Sequence, residues 1–248
     1  MKIEEIEISI VVPVYNEEGN IDAFVGELNE VMKELNVNYE LIFVLDPSSD
    51  NTESKIVENI KQNKNIKLIT LSRKFGQPLA TIAGIEHSNG NYCVIMDVDL
   101  QDPPKVIKEM YKKIKINNVD VVYAVRRKRD GETLIKKIIA NLGYRLINKL
   151  SDINIPKDTG DFRIISKRII NELKKFDEKE AFLRGLVSYI GFKQEKIYFD
   201  RNERTSGIGK YNKYFGSLKI GINGIVGFSS KPLFFMTIVG VFLSVVSF

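Results

Sequence analysis

Apolar runs and helical periodicity alternate along the first half of the chain. EISIVVPVY (residues 7–15), YELIFVL (39–45), IKLITLS (66–72), YCVIMDVD (92–99) and DVVYAVR (120–126) are short, Val/Ile-rich and strand-like. Between them lie NIDAFVGELNEVMKEL (20–35), NTESKIVENIKQN (51–63), QPLATIAGIEHS (77–88) and PPKVIKEMYKKIK (103–115), whose apolar positions recur with helical spacing. Continuous apolar strands separated by helices of ten or more residues predict a mostly parallel sheet covered on both faces, a doubly wound α/β fold. A further helix is expected over TLIKKIIANLGYRLINKL (133–150). After about residue 155 the alternation weakens, and a smaller α+β portion is expected over residues 158–200, followed by a polar loop at 201–212.

The last stretch changes pattern. PLFFMTIVGVFLSVVSF (232–248) has 17 residues and no charge. As a helix it measures about 25 Å against a hydrocarbon core of about 30 Å, so it reads as the start of a membrane span. Residues 212–231, with spaced apolar positions, read as an interfacial amphipathic helix before it. Lys210, Lys213, Lys219 and Lys231 precede the span, and by the positive-inside rule they place the globular part, residues 1–211, on the cytoplasmic face of the cell membrane.

Composition narrows the chemistry. Formal net charge is +5, which fits an anionic partner such as phosphate or a lipid surface. No nucleic-acid-binding module is recognisable and the basic residues are interspersed with acidic ones, so no nucleic-acid partner is expected. One cysteine, Cys93, and one histidine, His87, exclude an intrachain disulfide framework, a Cys-rich zinc site and a Ser-His-Asp triad. Neither G-x-G-x-x-G after the first strand nor G-x-x-x-x-G-K-[ST] occurs, which argues against a dinucleotide oxidoreductase and a P-loop NTPase.

Ligands of open α/β sheets bind outside the carboxyl ends of the strands. Polar clusters fall at each such end: PVYNEE, LDPSSDNT, SRKFGQ, DVDLQDPP and RRKRDGE. In DVDLQDPP (97–104), Asp97, Asp99 and Gln101 are spaced i, i+2, i+4, so on an extended strand they share one face. Two carboxylates there repel, and a hard cation such as Mg²⁺ or Mn²⁺, with substrate phosphates, relieves them. The alternative is a solvated strand end. Asp102 is expected to be the N-cap of the next helix, with Pro103 at its first position.

The strings IVVPVYNEEGNI, LDPSSDNT, SRKFGQ, GNYCVIMDVDLQDPP, DTGDFR and R-x-x-G-x-x-K-Y-like RTSGIGKY occur in this order. Together they resemble the family 2 glycosyltransferases of the polyprenyl-phosphate type, which include dolichyl-phosphate mannose synthases and bactoprenol glucosyltransferases. The resemblance implies a GT-A fold and inverting, metal-dependent transfer of a sugar from a nucleotide sugar to a polyprenyl phosphate, with UDP-glucose the favoured donor and GDP-mannose an alternative. It implies nucleotide contacts from Pro13, Tyr15, Glu17 and Asp46. Asp97, Val98 and Asp99 would lie at the diphosphate, with Asp97, Asp99 and Gln101 on Mg²⁺ or Mn²⁺. Arg126 would sit near the reacting phosphates, Arg204 and Lys210 would close over the donor, and Asp161 would act as base or orient the acceptor. Plainer readings are a strand-end aromatic for Tyr15, a solvated basic turn for Arg126, interfacial charges for Arg204 and Lys210, and a structural contact to Arg163 for Asp161. A scaffold that has lost catalysis, or a transferase acting on a glycan, are the competing functions. A homo-oligomer is compatible with a membrane anchor.

The chain departs from the family pattern in places. Leu45, Asp46, Pro47 and Ser48 stand where relatives read DDGS or NDGS; Lys74 stands for Asn, and Gly209 for Ser or Thr. Bactoprenol-type relatives carry two C-terminal spans, where this chain shows the start of one.

Overall fold

The computed structural model describes residues 5–127, 159–176, 183–201 and 231–247. In chain order the elements are β1 (Ile8–Val14), α1 (Ile21–Leu35), β2 (Tyr39–Leu45), α2 (Thr52–Gln62), β3 (Ile66–Thr70), α3 (Gln77–Glu86), β4 (Tyr92–Ile95), α4 (Val106–Ile116) and β5 (Val121–Arg126). They continue with β6 (Thr159–Ser166), α5 (Lys167–Leu173), α6 (Leu183–Ile190), β7 (Gln194–Phe199) and α7 (Lys231–Ser247). The five strands expected from the apolar runs are all present. The expected helix over 133–150, the loop at 201–212 and the interfacial helix over 212–231 lie largely or wholly outside the described residues.

All seven strands join one sheet in the order β3-β2-β1-β4-β6-β5-β7. β1 pairs in parallel with β2 and β4, β2 with β3, and β5 with β7; β6 alone among them runs antiparallel, between β4 and β5. The α+β portion expected after residue 155 is therefore not set apart. It is woven into the sheet, because β6 supplies the strand that joins β4 to β5.

Alternation along the strands sends side chains to two cores. Ile8, Ile10 and Val12 of β1 join Leu41, Phe43 and Leu45 of β2 under α1 and α4, with Phe24, Leu28, Ile107 and Met110 from those helices. Val11, Ile42 and Val44 face the other way, onto Ala80 and Ile85 of α3. Gly84 lets α3 approach closely: a Cβ there would lie 2.3 Å from Val11 Cγ1 and 3.0 Å from Val44 Cγ2. Cys93 is buried in β4, and burial pushes its thiol up to about 12, so it is packing rather than chemistry. His87 caps the end of α3, with Nδ1 2.8 Å from the Ala83 carbonyl.

Among the described residues no helix is long and apolar enough to cross a membrane. α7 is helical over 17 residues. It exposes Phe234, Met236, Ile238, Val241, Phe242, Leu243, Val245 and Val246.

Candidate active site

The sheet order reverses at β1, which has β2 on one side and β4 on the other. That switch point, beyond the carboxyl ends of β1 and β4, is where ligands of such sheets bind. The antiparallel β6 adds a second source of side chains. Its first residues lie at the same edge as the last residues of its neighbours: Thr159 is opposite Val125, and Arg163 is opposite Ile95. The sheet thus brings the loops after β1, β4 and β5 and the start of β6 to one edge.

At the end of β1, Pro13 pairs with Val44 in register. Tyr15 lies under the Lys74 ammonium, 3.5 Å from the ring centroid. The loop is laced to the one after β2: Asn16 N donates to Ser48 Oγ at 3.0 Å, and Glu17 N donates to Thr52 Oγ1 at 2.8 Å. The Glu17 carboxylate accepts from Asn20 Nδ2 at 2.6 Å. Asp46, expected at the base or ribose, is buried. Its two oxygens accept from Phe75 N at 2.9 Å and Gly76 N at 2.8 Å. Asp46 thereby fixes the β3–α3 loop that carries Lys74, and Gly76, at φ 87°, supplies the backbone turn that loop needs.

The acidic loop differs from the extended strand expected of it. β4 ends at Ile95 and Leu100 takes φ 57°, so the two-residue alternation that would align Asp97, Asp99 and Gln101 is broken. Asp97 Oδ1 accepts from Gln77 Nε2 at 2.7 Å, while Val98 and Asp99 are buried, and Asp99 Oδ1 accepts from Gln101 N at 3.2 Å. Burial, followed by the charges of Asp102, Asp99 and Asp161, pushes the Asp97 carboxyl up to about 8. Asp102 is not the helix cap expected of it. α4 starts at Val106 with Lys105 before it, because the 103–107 segment is closed by Val106 N to Pro103 O at 3.1 Å and Ile107 N to Pro104 O at 2.9 Å. Asp102 is instead 2% exposed and faces Arg126 Nη2 at 3.6 Å and Arg201 Nε at 3.8 Å.

Arg126 closes β5 and lies beside Gly160, where an added Cβ would meet its Nη2 at 3.4 Å. Its guanidinium is thus packed against Asp102 and Gly160 at the sheet edge. Asp161 is gripped by Arg184 of α6, Nε to Oδ1 at 2.8 Å and Nη2 to Oδ2 at 3.4 Å, with Arg163 Nη2 3.9 Å away. Burial opposes charge on Asp161, but Arg184, Arg163 and Arg126 together hold its carboxyl below the usual range. Burial pushes Arg163 down to about 10, which still leaves it charged at neutral pH. Arg204 and Lys210 lie outside the described residues.

Four residues that contact the expected site residues or one another there were not expected in that place: Gln77, Arg184, Arg201, and Asp102, which was expected as a helix cap. Gln77 closes the SRKFGQ string, and Arg201 sits three residues before Arg204, so position hinted at both. Arg184 carries no local signal, since only the tertiary fold brings α6 to β6.

Among the described residues no group of three His, Cys, Asp or Glu side chains is drawn together as a metal-ligand set. Oxygen donors from Asp97, Asp99 and Gln101 nevertheless suit a hard divalent cation that completes its shell with phosphate and water. The strongly raised Asp97 carboxyl marks crowded negative charge that a cation would relieve.

Residues 9–174 match the model of the family described as glycosyl transferase family 2. An uncharacterized glycosyltransferase of Bacillus subtilis, YkcC, is 45% identical over 239 residues, 96% of this chain and 73% of that protein. The bactoprenol glucosyl transferase of Shigella phage SfV is 33% identical over 243 residues, 98% of this chain and 78% of that protein. Among solved structures, the mannosyltransferase PcManGT from Pyrobaculum calidifontis, in complex with GDP-Man and Mn²⁺, superposes with a TM-score of 0.59 at 18% identity, over 84% of this chain and 59% of that one. Glucosyl-3-phosphoglycerate synthase from Mycobacterium tuberculosis, in complex with Mn²⁺, UDP and phosphoglyceric acid, gives 0.58 at 15% identity, over 88% of this chain and 76% of that one. With a matching family model over two thirds of its length, close relatives across nearly all of it and a shared sheet architecture, the chain belongs to glycosyl transferase family 2, as a glycosyltransferase of the GT-A fold.

Proposed function

We propose that this glycosyltransferase moves a sugar, glucose in the first instance, from a nucleotide sugar such as UDP-glucose to a polyprenyl phosphate, with inversion at the anomeric carbon. The observation that carries the reading is the meeting of carboxylates and arginines at one sheet edge: Asp97, Asp99 and Asp102 after β4, Arg126 after β5 and Asp161 at the start of β6. The 33% identity to bactoprenol glucosyl transferases, over 98% of the chain, supports the lipid-phosphate acceptor.

The roles follow from charge. A phosphate monoester is mostly ionised at neutral pH, with a second pKa near 6, so the acceptor needs little help from a strong base. Asp161, held ionised by Arg184, orients the acceptor. Charge that builds on the departing nucleoside diphosphate is met by Arg126, and by Arg204 and Lys210 of the late loop. Mg²⁺ or Mn²⁺, held by Asp97, Asp99 and Gln101, supplies further electrostatic stabilisation of that diphosphate when bound. Pro13, Tyr15, Glu17 and Asp46 form the nucleotide end of the site, and Val98 lies beside the diphosphate. Residues 1–211 constitute the catalytic domain, 212–231 an interfacial segment, and 232–248 an apolar segment that enters the cell membrane from its cytoplasmic face.

The test is transfer of label from radiolabelled UDP-glucose to polyprenyl phosphate in detergent or vesicles. Lipid-extractable, Mg²⁺- or Mn²⁺-dependent product is expected, and Asp99→Ala should abolish it. Label from GDP-mannose alone would favour a mannosyl donor; label only in a water-soluble glycan would overturn the lipid acceptor. A product with retained configuration would exclude single displacement.

A further inference from the structure

Asp102 is the third carboxylate of DVDLQDPP, and its surroundings differ from those of the other two. Its Oδ1 is buried and receives no hydrogen bond among the described residues. That same oxygen faces two guanidiniums, Arg126 Nη2 at 3.6 Å and Arg201 Nε at 3.8 Å. They come from adjacent parallel strands: Arg126 ends β5, and Arg201 follows β7 by two residues. Two guanidiniums side by side repel, and a buried carboxylate between them offsets that repulsion. At these separations the pairs are electrostatic rather than closed, fork-to-fork bonds, and a guanidinium carries five N–H donors for other acceptors.

The loop therefore splits its negative charge. Asp97 takes the Gln77 amide and Asp99 the Gln101 backbone N–H, whereas Asp102 faces the arginines. We infer that Asp102 is a positioning residue that holds Arg126 and Arg201 as a pair on the donor diphosphate, and that Arg201 contacts that diphosphate directly. This rests on the nucleotide-sugar reading above. Arg201, 31% exposed at its side chain, keeps an open side toward solvent from which phosphate oxygens can be met. Asp102 does not touch the ligand.

The full chain, purified with Mn²⁺, is titrated with UDP, GDP and UMP as wild type, Asp102→Asn, Arg201→Gln and the double variant. The wild type should bind one of the diphosphates. Each single variant should weaken that diphosphate by about tenfold, as expected for loss of a charge-assisted contact, and leave UMP within about twofold. Because Asp102 acts in part through Arg201, the two losses overlap, and the double variant should fall clearly short of their product. Losses that multiply, unchanged diphosphate affinity in Asp102→Asn, or equal losses for UMP would overturn the inference alone. Wild-type protein that binds neither UDP nor GDP would overturn it together with the proposed function. Should Asp102→Asn lose its native circular dichroism, Arg201→Gln decides: a diphosphate-selective loss supports the inference, and unchanged affinity overturns it.

Discussion

Asp161 meets Arg184 through both carboxylate oxygens, and this pairing makes the residue a better anchor than proton acceptor. A carboxyl held below its usual range keeps its charge through the physiological pH range and is a weak base there. Asp161→Asn is expected to lower kcat by about 100-fold with little change in donor affinity. The wild-type pH–rate profile between pH 5 and 8 should contain no limb that the substitution removes; such a limb would show that Asp161 takes a proton. A second buried acid acts on stability. Glu40 at the opposite edge accepts from Ser9 Oγ at 2.6 Å, Lys67 Nζ at 2.6 Å and Asn89 N at 2.7 Å. Burial alone would raise its carboxyl, yet Lys67, Ser9 and the Asn89 amide outweigh it and leave it below the usual value. Its contribution is therefore full above the ordinary glutamate range, about 4.3, and is lost as pH falls through the lowered folded-state value. Glu40→Gln should cost about 1–3 kcal/mol at pH 7, with the gap to wild type closing in urea titrations below about pH 4. The misreading of Asp102 belongs to this scale too. Asp-Pro-Pro is a helix-start signature, but the helix begins at Val106, and only the neighbouring strands reveal that Asp102 faces arginines.

At the scale of elements, the runs that became β1, β2 and β4 were legible because a central strand is buried on both faces and leaves a continuous apolar stretch, whereas β3, at the sheet edge with only Ile66 buried, showed as a short β-branched run. β6 was not legible as a partner of β4 and β5. Its own residues set its extended conformation, but nothing local encodes which strands it joins or in which direction. The metal-side geometry was lost for a related reason: spacing aligns side chains only while the backbone stays extended, and here the strand ends at Ile95. Helix α3 offers a direct check on packing. Gly84 meets Val11 and Val44 so closely that a methyl group needs side chains or backbone to shift. Gly84→Ala should destabilise the fold by about 1–3 kcal/mol, read as a lower thermal midpoint, despite the better helix propensity of alanine.

For the whole molecule, the charged sheet edge of the candidate site and the apolar helix α7 define two kinds of surface. The exposed face of α7 is rich in large apolar side chains, which on a soluble monomer is uncommon. If lipid covers it, Val241→Lys with Val245→Lys should cut sedimentation with phospholipid vesicles severalfold, because each buried lysine costs about 2.5–3.5 kcal/mol in a bilayer interior, and should leave nucleoside diphosphate affinity unchanged. Equal vesicle binding by the variant would remove α7 from the membrane contact.

The antiparallel β6 has a temporal consequence. During synthesis β1 to β4 can pair as they emerge, but β5 has no place in the sheet until residues 159–166 arrive to bridge it to β4. β5 therefore waits unpaired while the ribosome adds some forty residues, roughly 2–8 s at 5–20 residues per second. The candidate site cannot be complete before that bridge closes, since Asp161 rides on the bridging strand itself. A nascent chain arrested short of it would hold every carboxylate of the acidic loop and still lack the anchor opposite them.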